Sequence, residues 1–122
     1  MKKELTKELL AYLTPFYPDI TKKEMHSAVK AGMLAYGKYM NALRRQGDEA
    51  LAYARAHGKR IMILAGRPYH IDAEIGHGID KLANSLGFVV VSEDSIFHLT
   101  TPHPVHVLNQ WTYHARLYRA AH

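Results

Sequence analysis

Apolar positions along the chain fall into two regimes. Up to residue 58 they recur at helical spacing. Leu5, Leu9 and Leu13 stand four apart, which predicts a short amphipathic helix over residues 3–13. Thr14-Pro15-Phe16-Tyr17-Pro18 stops it, because a proline supplies no amide proton to a helix interior. Thr21 followed by Glu24 has the spacing of a capping box and opens a second helix. Met25, Val29, Met33, Tyr36, Met40 and Leu43 form its inner stripe, at steps of three and four. Arg44-Arg45-Gln46 before Gly47 reads as its C-terminus, and Asp48 as the cap of a third helix that ends near Gly58. The Met and Tyr residues of this stripe are expected in a core rather than around a cofactor.

From Lys59 the regime changes. Arg60-Ile61-Met62-Ile63-Leu64-Ala65 is apolar without alternation, the pattern of a strand buried on both faces, and Phe88-Val89-Val90-Val91 repeats it. Between them Asp72 is placed to cap a helix with Ile75, Ile79, Leu82 and Leu86 as its buried stripe and Gly87 as its stop. Residues 60–92 then make one right-handed βαβ crossover. Beyond Pro102 and Pro104, Val105, Leu108, Trp111, Ala115 and Tyr118 predict a last helix to about Ala121. The expected fold is α/β: a short parallel sheet with a Rossmann-like βαβ unit, preceded by a helical arm. The arm covers 1–58 and the βαβα subdomain 59–122, together one compact domain.

Composition narrows the function. The chain has 122 residues, 48% hydrophobic and 22% charged, an ordinary globular balance. No apolar run nears the ~18 residues of a membrane span, and no signal segment opens the sequence. Cysteine is absent, which removes disulfides, thiolate nucleophiles and cysteine-held clusters. A cytoplasmic location fits. The net charge of +5 is unevenly placed. Residues 1–60 hold 12 basic and 6 acidic side chains, whereas residues 61–122 hold 4 and 5 together with seven of the nine histidines. The basic half interleaves Lys with Glu, which is a solvated helix face and argues against a nucleic-acid partner.

In an open parallel sheet, ligands sit beyond the carboxyl ends of the strands. The first strand there runs into Gly66-Arg67-Pro68-Tyr69-His70-Ile71-Asp72-Ala73-Glu74-Ile75-Gly76-His77, the second into Ser92-Glu93-Asp94-Ser95. The candidate ligand-binding residues are Arg67, Tyr69, His70, Asp72, Glu74, His77, Glu93 and Asp94. Gly66, a helix N-terminus near Ala73 and the fork of Arg67 favour an anion. The plainer alternative is a well-capped helix with Arg67 paired to Asp72, Glu93 or Asp94. Glu74 and His77, at i and i+3, share a helix face, but one such pair does not make a metal site, and none is expected. Neither a Walker loop, a GxGxxG turn nor a GxSxG elbow is present, so no catalytic residue is assigned.

Leu64-Ala65-Gly66-Arg67-Pro68-Tyr69-His70-Ile71-Asp72, with Glu74-Ile75 and His77-Gly78-Ile79, resembles a signature of large bacterial CoA-substrate-specific enzyme activases, the activators of 2-hydroxyglutaryl-CoA dehydratase. Ser92-Glu93-Asp94-Ser95-Ile96 and Asn109-Gln110-Trp111-Thr112-Tyr113-His114-Ala115-Arg116-Leu117-Tyr118 are similar to later parts of the same region, so the likeness runs over roughly 60–121. The resemblance implies a Rossmann-like subdomain of the dehydratase-like region, excised from a longer protein. It implies ATP and an iron–sulfur cluster for that parent and no cofactor in this chain. It further implies partners among the parent's other domains and the acyl-CoA dehydratase system. Open strand edges allow a homo-oligomer. The alternatives are a stand-alone protein-interaction module and a small hydrolase using His70 with Glu93 or Asp94.

Overall fold

A computed structural model describes residues 2–101, 104 and 111–121. The element order is α1 (Lys2–Leu13), α2 (Lys22–Ala56), β1 (Ile61–Leu64), α3 (Ile79–Ser85), β2 (Val89–Ser92), α4 (Glu93–Ile96) and α5 (Thr112–Ala121). Single 3₁₀ turns occupy Pro68–Ile71 and Phe97–Leu99. The fold is a small mixed α/β arrangement. By internal contacts the chain divides into two compact units, 1–40 and 41–122, with the division inside α2.

In the first unit α1 forms as its leucine spacing predicts. The Thr21/Glu24 capping box is present in full. The Thr21 amide and hydroxyl both donate to Glu24 Oε2, at 2.9 and 2.7 Å, and the Glu24 amide donates to Thr21 Oγ1 at 3.2 Å. These bonds hold the exposed Glu24 carboxyl below its usual range, the hydroxyl bond first. Met25, Val29 and Met40 are buried as the stripe requires, whereas Tyr36 is exposed.

The second unit corrects several expectations. Gly47 does not end a helix: α2 passes through it without a break to Ala56. Its role is steric. A Cβ on Gly47 would overlap the Ser95 carbonyl, with the carbonyl carbon at 2.9 Å. Only glycine lets α2 lie this close to α4.

The two strands pair in parallel, Ile61 with Val89 through Leu64 with Ser92, and the Val89 amide donating to the Arg60 carbonyl at 2.8 Å extends the ladder. The crossover is right in outline and wrong in detail. Residues 73–78 are turns, not helix, and α3 begins only at Ile79. His77 and Gly78 take positive φ angles of 50° and 69°, which break the helix that the apolar periodicity suggested. The stripe itself is exposed: Ile75, Ile79, Leu82 and Leu86 show 54–67% of their surface. Ala83 is the buried residue of α3 instead. Nor is β1 buried on both faces, since Ile61 and Ile63 are more than a third exposed.

The core of this unit is Leu51 of α2, Val91 of β2, Ile96 of α4 and Ala120 of α5, with Ala50 beside them. Helix α5 presents Ala120 inward, while Trp111 and Tyr118 stay exposed, against the predicted stripe. Val105 and Leu108 of that stripe lie outside the described residues. No helix among the described residues is long and apolar enough to cross a membrane.

Candidate functional site

The parallel pairing puts Leu64 opposite Ser92, so the segments after both strands leave from one end of the sheet. A shallow cleft of about 280 Å³ opens there, lined by Leu64, Gly66, His70, Ile75 and Ile79 among others.

His70 is the best-positioned polar group in it. The Arg67 amide donates to His70 Nδ1 at 3.0 Å, and the His70 amide donates back to the Arg67 carbonyl at 2.9 Å. An Nδ1 that accepts leaves the proton of the neutral ring on Nε2. The Tyr69 ring meets the imidazole edge-on at 4.4 Å between centroids. A Cβ on Gly66 would lie 2.5 Å from Nδ1, so a larger residue there would displace the ring. Gly76 closes the other side of the loop, since a Cβ on it would come within 2.6 Å of the His70 carbonyl oxygen and 2.8 Å of that of Asp72.

Asp72 caps a turn, not the expected helix. Its Oδ1 accepts from the Glu74 amide at 2.9 Å and from the Ile75 amide at 3.1 Å. Those two bonds, that of Ile75 first, hold its carboxyl below the usual range. The helix N-terminus expected near Ala73 is six residues further on and is capped by Gly78. Glu74 and His77 therefore do not share a helix face. Arg67, Tyr69, His70, Asp72, Glu74 and His77 are all exposed and belong to one hydrogen-bonded loop.

Glu93 and Asp94 form a second group. Glu93 opens α4 and is 3% exposed, and the Arg116 guanidinium donates to its Oε1 at 2.7 Å. Burial raises the Glu93 carboxyl above its ordinary value, the Arg116 hydrogen bond and charge oppose that, and Asp94 adds to it. Ser92 Oγ donates to Asp94 Oδ1 at 2.6 Å. The partner of Glu93 is thus Arg116, a residue that carries no ligand-site signal in the sequence. Among the described residues, no group of three or more His, Asp or Glu side chains is gathered where it would hold a metal ion. An iron–sulfur cluster would find no thiolate in this chain, which has no cysteine.

These features define a small α/β domain with a polar loop and cleft at the carboxyl end of a parallel sheet. The chain belongs to the family described as CoA enzyme activase uncharacterised domain, which matches residues 1–96. The match takes in the helical lead-in as well as the Gly66–Ile79 motif and β2, and it ends at Ile96. No curated protein and no solved structure matches the chain.

Proposed function

We propose that this chain is a non-catalytic α/β subdomain of a 2-hydroxyacyl-CoA dehydratase activator-type protein, and that its strand-end rim faces a cluster, a CoA ligand or a neighbouring subdomain. ATP and the iron–sulfur cluster belong to other parts of that protein. The observation that carries this reading is the exposed row Ile75, Ile79, Leu82 and Leu86, which starts at the cleft and follows α3. Contiguous apolar surface of this kind marks a contact face. Each strand of the two-stranded sheet also keeps one unpaired edge among the described residues, which is where a further strand adds. Arg67 offers an anion-binding fork on the same loop, and the Nε2–H of His70 offers a donor.

Light scattering across a concentration series tests the reading. The chain alone is expected to associate reversibly through the uncovered row, and Leu82→Glu with Leu86→Glu is expected to leave a monomer that unfolds like the parent. A fully monomeric parent over the whole series overturns it in favour of a stand-alone module. The hydrolase reading has less support. His70 bonds to the Arg67 amide, Glu93 to Arg116 and Asp94 to Ser92, so no carboxylate among the described residues orients the imidazole.

A further inference from the structure

The first unit holds a cavity of about 580 Å³ lined by residues of α1 and α2. That volume is within the usual range for a small-ligand site, roughly 300–1,000 Å³. Two short rows form its walls, each one helical turn long: Lys3 and Lys7 on α1, Lys22 and His26 on α2. Thr6, which is buried, and half-buried Leu10 complete the α1 side. The Thr6 hydroxyl donates to the Lys2 carbonyl at 2.9 Å, so it is satisfied inside α1 and requires no partner from an occupant. The lining is therefore mostly carbon: Leu10, the Thr6 methyl and the methylene stems of three lysines.

Charge is unevenly placed around this groove. Glu4 is the one carboxylate among the described residues that line it. It lies 3.8 Å from Lys7, with both side chains more than two-thirds exposed, a pairing of little strength. Among the described residues, neither Lys3 nor Lys22 has a carboxylate within ion-pair distance. The other acids of the unit stand elsewhere. Glu24 is engaged by Thr21 and, with Asp19, lines a separate cavity beside Phe16 and Tyr17, while Glu8 lines neither. Three ammonium groups and one carboxylate thus rim a groove walled by carbon. Its complement is a molecule with a hydrocarbon body and an anionic end.

We propose that this groove binds a medium-chain carboxylate, its alkyl chain against Leu10, Thr6 and the lysine stems and its anionic end at the lysine rim. An inorganic anion would leave the carbon walls wet, and a neutral chain would leave the ammonium groups without a partner. From Lys3 to Leu10 the α1 lining rises about 10 Å, which accommodates a chain of about eight carbons. The groove shares no lining residue with the strand-end cleft, so its occupancy is independent of the function proposed above.

The test is a titration of the full chain with octanoate below its micellar concentration, following methyl resonances. Those of Thr6 and Leu10 are expected to shift saturably, and those of Leu51, in the core of the second unit, to stay. Hexanoate, with a shorter chain, is expected to bind about tenfold more weakly. Octylammonium, of equal chain and opposite charge, is expected to leave the same methyls unmoved. Lys22→Glu is expected to weaken octanoate binding about tenfold and to fold normally, since an acid suits the first turn of α2. A non-saturating response of the parent overturns the proposal, and so does a shift of the same size at Leu51. Equal affinity for hexanoate, an equal response to octylammonium, or octanoate affinity unchanged in folded Lys22→Glu overturns it as well. If Lys22→Glu does not fold, the octylammonium comparison decides.

Discussion

Gly47 and Ser95 are in contact through their backbones, so α2 lies against α4 with no side chain between them. Helix propensity alone says that alanine should replace glycine here at a gain of about 1 kcal/mol. The contact says the opposite. Gly47→Ala is expected to destabilise the chain, because the obstructing atoms are carbonyl atoms and not the end of a flexible side chain. Urea unfolding measures the sign, and a more stable variant would remove the contact from the fold.

Glu93 makes stability depend on pH in the direction opposite to acid denaturation. Its carboxyl titrates higher in the folded chain than in the unfolded one. The folded state therefore holds the extra proton between the two values, and stability falls as pH rises through that window. Glu93→Gln is expected to flatten this slope, read from unfolding midpoints across the mildly acidic range. A slope unchanged by the substitution would assign it elsewhere.

Arg116 is the partner that makes the buried Glu93 carboxylate tolerable. Arg116→Leu is expected to cost about 3 kcal/mol by leaving a buried acid unpaired. The double variant Arg116→Leu with Glu93→Leu should recover most of that loss. Additive losses in the double-mutant cycle would show that the pair is not coupled.

His70 is expected to be the Nε2–H tautomer, since its Nδ1 accepts from the Arg67 amide. Long-range nitrogen–proton correlation of the ring distinguishes the two tautomers. Gly66→Ala should change the ring's chemical shifts with little effect on global stability. Observation of the Nδ1–H form would contradict the loop geometry.

Buried and exposed apolar residues should separate cleanly. Leu51→Ala, in the core, is expected to cost about 2–5 kcal/mol. Leu82→Ala, on the exposed row, should fall within about 0.5 kcal/mol of the parent in dilute solution.

The strands, α1 and the Thr21/Glu24 cap were legible in the sequence because each rests on local chemistry: an unbroken apolar run, a leucine repeat, a hydroxyl three residues before a carboxylate. The misreadings share a cause. Gly47 reads as a helix stop in the sequence because a glycine needed for φ freedom and a glycine needed for close approach look alike in one dimension. The spacing of Ile75, Ile79, Leu82 and Leu86 suits a helix, but His77 and Gly78 turn the backbone between the first two. Periodicity identifies a row of like residues and not the body that covers it. For the candidate site, the Gly66–His77 loop was visible as a polar strand end. The hydrogen bonds inside it were not, nor was the pairing of Glu93 with Arg116, because residues 23 apart meet only after α4 and α5 pack.

The parallel pairing of β1 with β2 also governs when the sheet comes into being. An antiparallel hairpin can zip from its turn, but this ladder closes only after the chain from Ala65 to Phe88 has travelled back along the sheet. A nascent polypeptide released as far as Leu86 has its first strand, its loop and its third helix, and nothing for that strand to pair with. The sheet is therefore closed only when Val89–Ser92 arrives, whereas the residues that line the cleft, Leu64 to Ile79, all precede it.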